Sequence, residues 1–234
     1  MMVTKTTAMI YISIIMMACG GGSGIGPNEI FEQEAQLRDR LPTDWTHYHR
    51  GEYASAVEFF TETLENASTF DGSESVLNEI KSEAHNGIGW AFFRLQDLEA
   101  ASSAFQQSTK LNRRNQDAWA GHAGVALARG NYNEAAQFAL QNLSVNTDYN
   151  SGLRVDGQDR ALGHDNFDTR HVRLILAESY FQLGRYSAQD RPDPSNAAAQ
   201  LRLIKGDYTF VDAGQLLNEI GKMSLELTGL PGQI

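Results

Sequence analysis

The chain reads as an all-α protein, a right-handed solenoid of three to four antiparallel helix pairs closed by a C-terminal capping helix. Three observations lead there. Ala101 and Phe105 recur as Ala135 and Ala139, and Gln96 and Leu98 as Gly130 and Tyr132, each 34 residues apart, which is the period of a two-helix repeat. A Gly-x-Tyr turn stands at Gly51/Tyr53, Gly130/Tyr132 and Gly184/Tyr186, with glycine ending one helix and tyrosine filling the gap before the next. Small residues fall midway along the first helix of a pair (Gly89, Ala123, Ala177) and early in the second (Ala56, Ala101, Ala135). Two backbones can then approach closely, as ridge-into-groove packing requires.

Residues 1–18 read as an export signal. Lys5 supplies the positive start, and the apolar run Ala8 to Met17 is shorter than the roughly 20 residues a membrane-spanning helix needs. Cys19 is the only cysteine, so no disulfide forms within the chain. Residues 19–26 end in the Gly-rich run GGGSGIG, a flexible tether by composition. It is no phosphate loop, because no strand precedes it, Pro27 takes the place of the third glycine, and no Lys-Ser/Thr pair follows. Residues 27–234 form the helical domain.

Within that domain, Ile30, Phe31, Glu34, Leu37 and Leu41 lie at helical spacing, which predicts a helix capped by Asn28 and closed by Pro42. Thr43 or Asp44 would cap the next helix, Trp45 to Arg50, paired with Ala54 to Asn66. The second pair is Ser82 to Leu95 and Glu99 to Leu111; the third is Gln116 to Arg129 and Asn133 to Leu143. A fourth opens with Thr169 to Leu183 and resumes after a Ser195 cap, running to Ile204. Breaks fall around Ser68 to Ser75, at Thr147 to Asp168, and at Gln189 to Ser195 with its Pro192 and Pro194. Leu216, Leu217, Ile220, Met223 and Leu227 make Gly214 to Leu227 an amphipathic helix, the end cap that a solenoid needs.

From Trp45 to Ile204 this pattern resembles the tetratricopeptide repeat. It departs from it in lacking proline at the repeat ends, in having Ala139 for Phe, and in about 11 extra residues between the first two copies. The resemblance implies a protein or peptide partner held along an inner wall made mainly by the first helices. That wall would carry Trp45, Tyr48 and His49, then Asn86, Trp90, Phe93 and Arg94, then Leu127, then Glu178, Phe181 and Gln182. Rigid aromatics with an arginine are residue types that anchor proteins; the same rings also suit packing between neighbouring repeats. Trp90 and Phe93 stand where a clamp for a C-terminal carboxylate would need polar groups, so that activity is not expected.

The first 19 residues resemble a bacterial lipoprotein signal, in which a small residue, here Ala18, precedes the modified cysteine. Met16 and Met17 depart from the usual residues there. The resemblance implies cleavage before Cys19, acylation of its thiol, and attachment through that lipid. With no Asp after Cys19, the common sorting rule places the anchor in the outer membrane, the body facing the periplasm.

Charge narrows the partners. The formal net charge is -10, and without the signal, whose only charge is Lys5, 18 basic face 29 acidic residues. A body this acidic argues against nucleic acid as a partner, since phosphate contacts need a Lys/Arg-rich face. A nucleophile elbow, His-Glu-x-x-His, Cys-x-x-Cys and Walker pattern are all missing, so no enzyme is expected. His47 and His49 point to different helix faces. The densest polar cluster, Asp156, Asp159, His164, Asp165 and Asp168, matches no metal-loop motif, so neither metal nor cofactor is expected. The function expected is a membrane-anchored, non-enzymatic interaction module or scaffold in the bacterial envelope. The alternative is an accessory lipoprotein that binds a small ligand or glycan with the 147–168 loop.

Overall fold

A computed structural model of the chain describes residues 26–151, 167–187, 195–206, 209 and 212–228. The signal, Cys19, most of the tether and the Pro192/Pro194 break lie outside them. Among the described residues the helices are α1 (Pro27–His49), α2 (Tyr53–Thr69), α3 (Glu74–Arg94), α4 (Leu98–Leu111), α5 (Gln116–Ala128), α6 (Tyr132–Val145), α7 (Thr169–Gln182), α8 (Ala197–Lys205) and α9 (Ala213–Thr228). None of them is long and apolar enough to cross a membrane.

The layering makes a solenoid. Helices α1, α3, α5 and α7 touch in succession, and each packs on the second helix of its own pair. Among the described residues, α2, α4, α6 and α8 make no such contacts with one another. First helices therefore crowd the inner curve while second helices splay along the outer one. Helix α9 packs on α7 and α8, burying Leu216, Ile220 and Met223, and so caps the array.

Every pair turns in the same way. After α3 the N–H of Asp97 donates to Phe92 O at 3.0 Å and that of Gln96 to Phe93 O at 3.1 Å, and the same two bonds close α1, α5 and α7 at Glu52/Gly51, Asn131/Gly130 and Arg185/Gly184. This is the Schellman motif, whose C′ residue must be left-handed. Gly51, Gly130 and Gly184 sit at φ 77°, 74° and 73°, and in the second pair Gln96 is forced to φ 64°. A side chain is strained there, so Gln96→Gly is expected to stabilise the fold by about 1 kcal/mol in urea unfolding. An unchanged or lower midpoint would show that the turn carries no strain.

Packing between repeats follows one volume rule. A Cβ at Gly87 would stand 2.2 Å from the Phe60 ring, and one at Gly121 2.2 Å from Phe105, which also presses on Gly89. Both rings are fully buried, so a large residue on each second helix fits glycines on the first helices it packs against. In the third pair the order reverses: Ala139 takes the phenylalanine's place and Ile175 the glycine's, both fully buried in one cluster.

Five expectations are corrected. Pro42 does not close the first helix, because α1 runs through it to His49. The buried stripe Leu37, Leu41, Trp45 and Tyr48 continues across the proline, and packing outweighs the lost backbone bond. Asp44 is accordingly no cap; it lies buried inside α1, where Thr63 Oγ1 donates to it at 2.7 Å, and burial raises its carboxyl. The N-cap of α1 is Gly26 rather than Asn28, and that of α8 is Asn196 rather than Ser195, its side chain accepting from Ala199 N–H at 2.9 Å. The extra residues before the second pair are largely helical, since α2 reaches Thr69 and α3 starts at Glu74. They support a small core of their own, with Leu77 and Ile80 packed on Leu37 and Ala67.

Candidate functional site

The inner wall is built by the first helices, and one polar device repeats along it. Trp45 Nε1 on α1 donates to Glu83 Oε1 on α3 at 3.0 Å, and Trp90 Nε1 on α3 donates to Asp117 Oδ2 on α5 at 2.9 Å. The two spans are 38 and 27 residues, and the difference equals the 11 extra residues between the first two pairs. Each bond therefore joins equivalent places in successive repeats.

Neutral donors complete the network. Asn86 Nδ2 donates to Asp117 Oδ2 at 2.8 Å, Asn115 Nδ2 to Glu83 Oε2 at 3.2 Å, and the Tyr149 hydroxyl to Asp117 Oδ1. Carboxylates partly withdrawn from water need such donors. Burial, and after it the charge of Asp117, pushes the Glu83 carboxyl up to about 7. Burial and Asp117 also raise the Tyr149 hydroxyl, which stays a donor.

This network changes the accessible wall. Trp45 is 0%, Asn86 0%, Trp90 4% and Tyr48 8% exposed, so these four are interior residues that offer a partner no surface, and Trp45, Asn86 and Trp90 join repeats. Trp45 packs edge-on against Tyr48 and Phe60, each at 5.2 Å, and Trp90 against Phe105 at 5.4 Å. His49 and Arg94 are exposed, and Phe93, Glu178 and Phe181 partly so. Arg94 lies over the Tyr53 ring at 5.2 Å, and Tyr186 leans on Phe181 at 5.1 Å.

The third joint is built differently. Gly124 stands where the tryptophan was and His171 where the carboxylate was, so the indole bond cannot recur. Phe167 stacks on His171 at 4.6 Å and also meets Trp90 at 5.7 Å and Tyr149 at 6.4 Å. Phe167 thereby joins both large core clusters. Sequence reasoning missed Tyr149 and Phe167; the signal available was an aromatic residue at each end of the 147–168 interruption.

Those ends are fastened together. Ser151 N–H donates to Phe167 O at 2.8 Å and Thr169 N–H to Tyr149 O at 2.9 Å. Asp168 caps α7, its carboxylate accepting from Arg170 N–H at 2.9 Å and from the Arg170 guanidinium. These donors hold the Asp168 carboxyl below its usual value against the raising effect of burial, the largest single influence on it. His171 Nε2 lies 3.3 Å from Leu227 O, and its Nδ1 lies 3.1 Å from both the backbone N and the carboxylate Oδ1 of Asp168; burial lowers its pKa against the raising effect of Asp168. Asp156, Asp159, His164 and Asp165 lie outside the described residues.

With this geometry in place, residues 82–115 match the tetratricopeptide repeat family, from Ser82 on α3 to Asn115 before α5. The chain thus carries a tetratricopeptide repeat within an all-α helical repeat fold. Among solved structures it is similar to the nearly identical TPR-like repeats assigned to a Podosopora anserina kinesin light chain. A point variant of that protein gives 13% identity and a TM-score of 0.48, covering 85% of this chain and 99% of that one; a second structure gives 13% and 0.48 over 82% and 97%. A structure of MamA protein gives 14% identity and a TM-score of 0.35 over 85% of this chain and 96% of that one. No curated protein matches the sequence.

Proposed function

We propose that the chain is a non-enzymatic scaffold that holds a protein partner against its inner wall and is tethered to the bacterial envelope through an acylated Cys19. The observation that carries the reading is the row of partly exposed apolar residues, Phe93, Leu127 and Phe181, on successive inner helices, flanked by exposed His49, Arg94 and Gln182. Apolar anchors beside polar, flexible neighbours are the composition of a protein-binding surface. The repeat at 82–115 supports the same class of work. The anchor rests on the apolar run ending at Ala18-Cys19 and the glycine tether behind it, and the absent Asp after Cys19 favours the outer membrane, periplasmic side.

Photo-crosslinking tests it in the native host. A crosslinking residue at Arg94 is expected to give one recurring protein adduct, which is lost when the residue is moved to exposed Gln106 on the outer helix α4. Cys19→Ser is expected to move the protein out of the membrane fraction. Equal adducts from both positions, or none from Arg94 and Gln182 in folded, anchored protein, would overturn the scaffold reading; an unchanged membrane fraction for Cys19→Ser would overturn the anchor.

A further inference from the structure

The place that carries a tryptophan in the first two pairs and Gly124 in the third carries Glu178 on the last inner helix. In the first two pairs the equivalent residues are Trp45 and Trp90, each giving an N–H to a carboxylate on the next inner helix. Glu178 reverses the polarity by placing an acceptor there, on the last inner helix. Among the described residues, its carboxylate has neither a hydrogen bond nor an ion pair. It is nevertheless more buried than exposed, and burial alone raises its pKa. The arginines on either side of it in the sequence are engaged elsewhere: Arg185 lies over Tyr180 at 5.7 Å, and Arg173 donates to Gln200 Oε1 at 3.2 Å.

A desolvated carboxylate without a counter-charge is unfavourable unless something supplies one. The surroundings describe what fits. Phe181 and Gln182 lie one turn further along α7, and the Phe181 ring carries Tyr186, itself 38% exposed. An aromatic pair beside an acidic group suits a long basic side chain, whose stem lies on rings while its head meets the carboxylate. The excess of acidic residues over the body favours approach of a basic segment. Resting on the scaffold reading above, we infer that the partner inserts an arginine or lysine side chain against Glu178, with apolar neighbours on Phe181.

Panning a random twelve-residue peptide display library on the full chain in detergent tests this, with Glu178→Gln and Arg94→Glu as variants. The expected result is enrichment of peptides with a basic residue next to apolar ones. A synthetic copy of the leading peptide should bind Glu178→Gln about tenfold or more weakly, the scale for hydrogen bonds to charged groups. Glu178→Gln should unfold no earlier than wild type, so weaker binding is not misfolding. Enriched peptides that lack a basic residue, or that bind Glu178→Gln as tightly as wild type, overturn the inference; if Arg94→Glu still weakens them, the scaffold reading survives. No enrichment on folded protein overturns both.

Discussion

Phe105→Ala is expected to destabilise the protein by about 3 to 5 kcal/mol, the range for removing a fully buried phenylalanine. The ring is completely enclosed, meets Trp90 edge-on at 5.4 Å, and rests where Cβ atoms at Gly89 and Gly121 would come within 2.6 Å and 2.2 Å of it. Removing it opens a cavity at the joint between the second and third pairs, where stability depends on neighbour contacts. The reverse change also fails: Gly121→Ile alone drives a side chain into the ring, costing about 1 to 3 kcal/mol or more. The third joint, with Ala139 and Ile175 in the same two places, shows that the opposite distribution of volume packs as well. Phe105→Ala combined with Gly121→Ile should therefore be less destabilised than the two single variants added together, by about 1 to 2 kcal/mol. Urea unfolding followed by helical circular dichroism measures all four proteins. Strict additivity would mean that the two positions do not share one space.

The same comparison explains what the sequence made legible. The 34-residue period, the Gly-x-Tyr turns and the small residues identify the pairing because each is imposed locally, by a Schellman turn at Gly51, Gly130 and Gly184 or by backbone approach at Ala56, Ala101 and Ala135, all fully buried. Even Gln96, aligned with Gly130 by period alone, takes the glycine's conformation. Pro42 misled because a local signal was set above a longer one: the stripe from Leu37 to Tyr48 already passed through it. The wall was harder. A tryptophan at an inner position fits a partner or a joint equally well, and what decides is a carboxylate on the next repeat. Glu83 and Asp117 were visible as residues, but pairing them with Trp45 and Trp90 requires knowing that the 11-residue insertion shifts one span and not the other. The role of Phe167 depends on a contact across the insertion, which no period encodes.

Glu83 gives the second large effect, a dependence of stability on pH. Its carboxyl stands near 7 in the fold against an ordinary 4.5. Between those values the native protein holds a proton that the unfolded chain has released, so stability falls as pH rises through this window. The stabilisation is fully present below 4.5 and gone above about 7, a change on the order of 2 to 3 kcal/mol. His122 acts in the opposite sense. Burial, aided by Arg129, lowers its pKa from 6.5 to about 4, so its contribution is present above 6.5 and is lost as pH falls through 4. The two partly cancel in wild type between 4.5 and 6.5, and a simple pH profile would hide both. Comparing wild type with Glu83→Gln removes the histidine from view, because both proteins carry it. The amide introduced by Glu83→Gln cannot ionise yet still accepts from Trp45, so the stability of the variant relative to wild type should climb by about 2 to 3 kcal/mol between pH 4.5 and pH 8. Urea midpoints at four pH values suffice to see it. A constant difference would mean that the carboxyl ionises in the fold as it does in water, and the joint would then carry two charges at neutral pH. A rising difference means that Glu83 keeps its proton near neutrality, leaving Asp117 as the single charge held by Trp90, Asn86 and Tyr149. The same bonds fasten the start of the insertion to the wall, so alkaline conditions should loosen the joint and that attachment together.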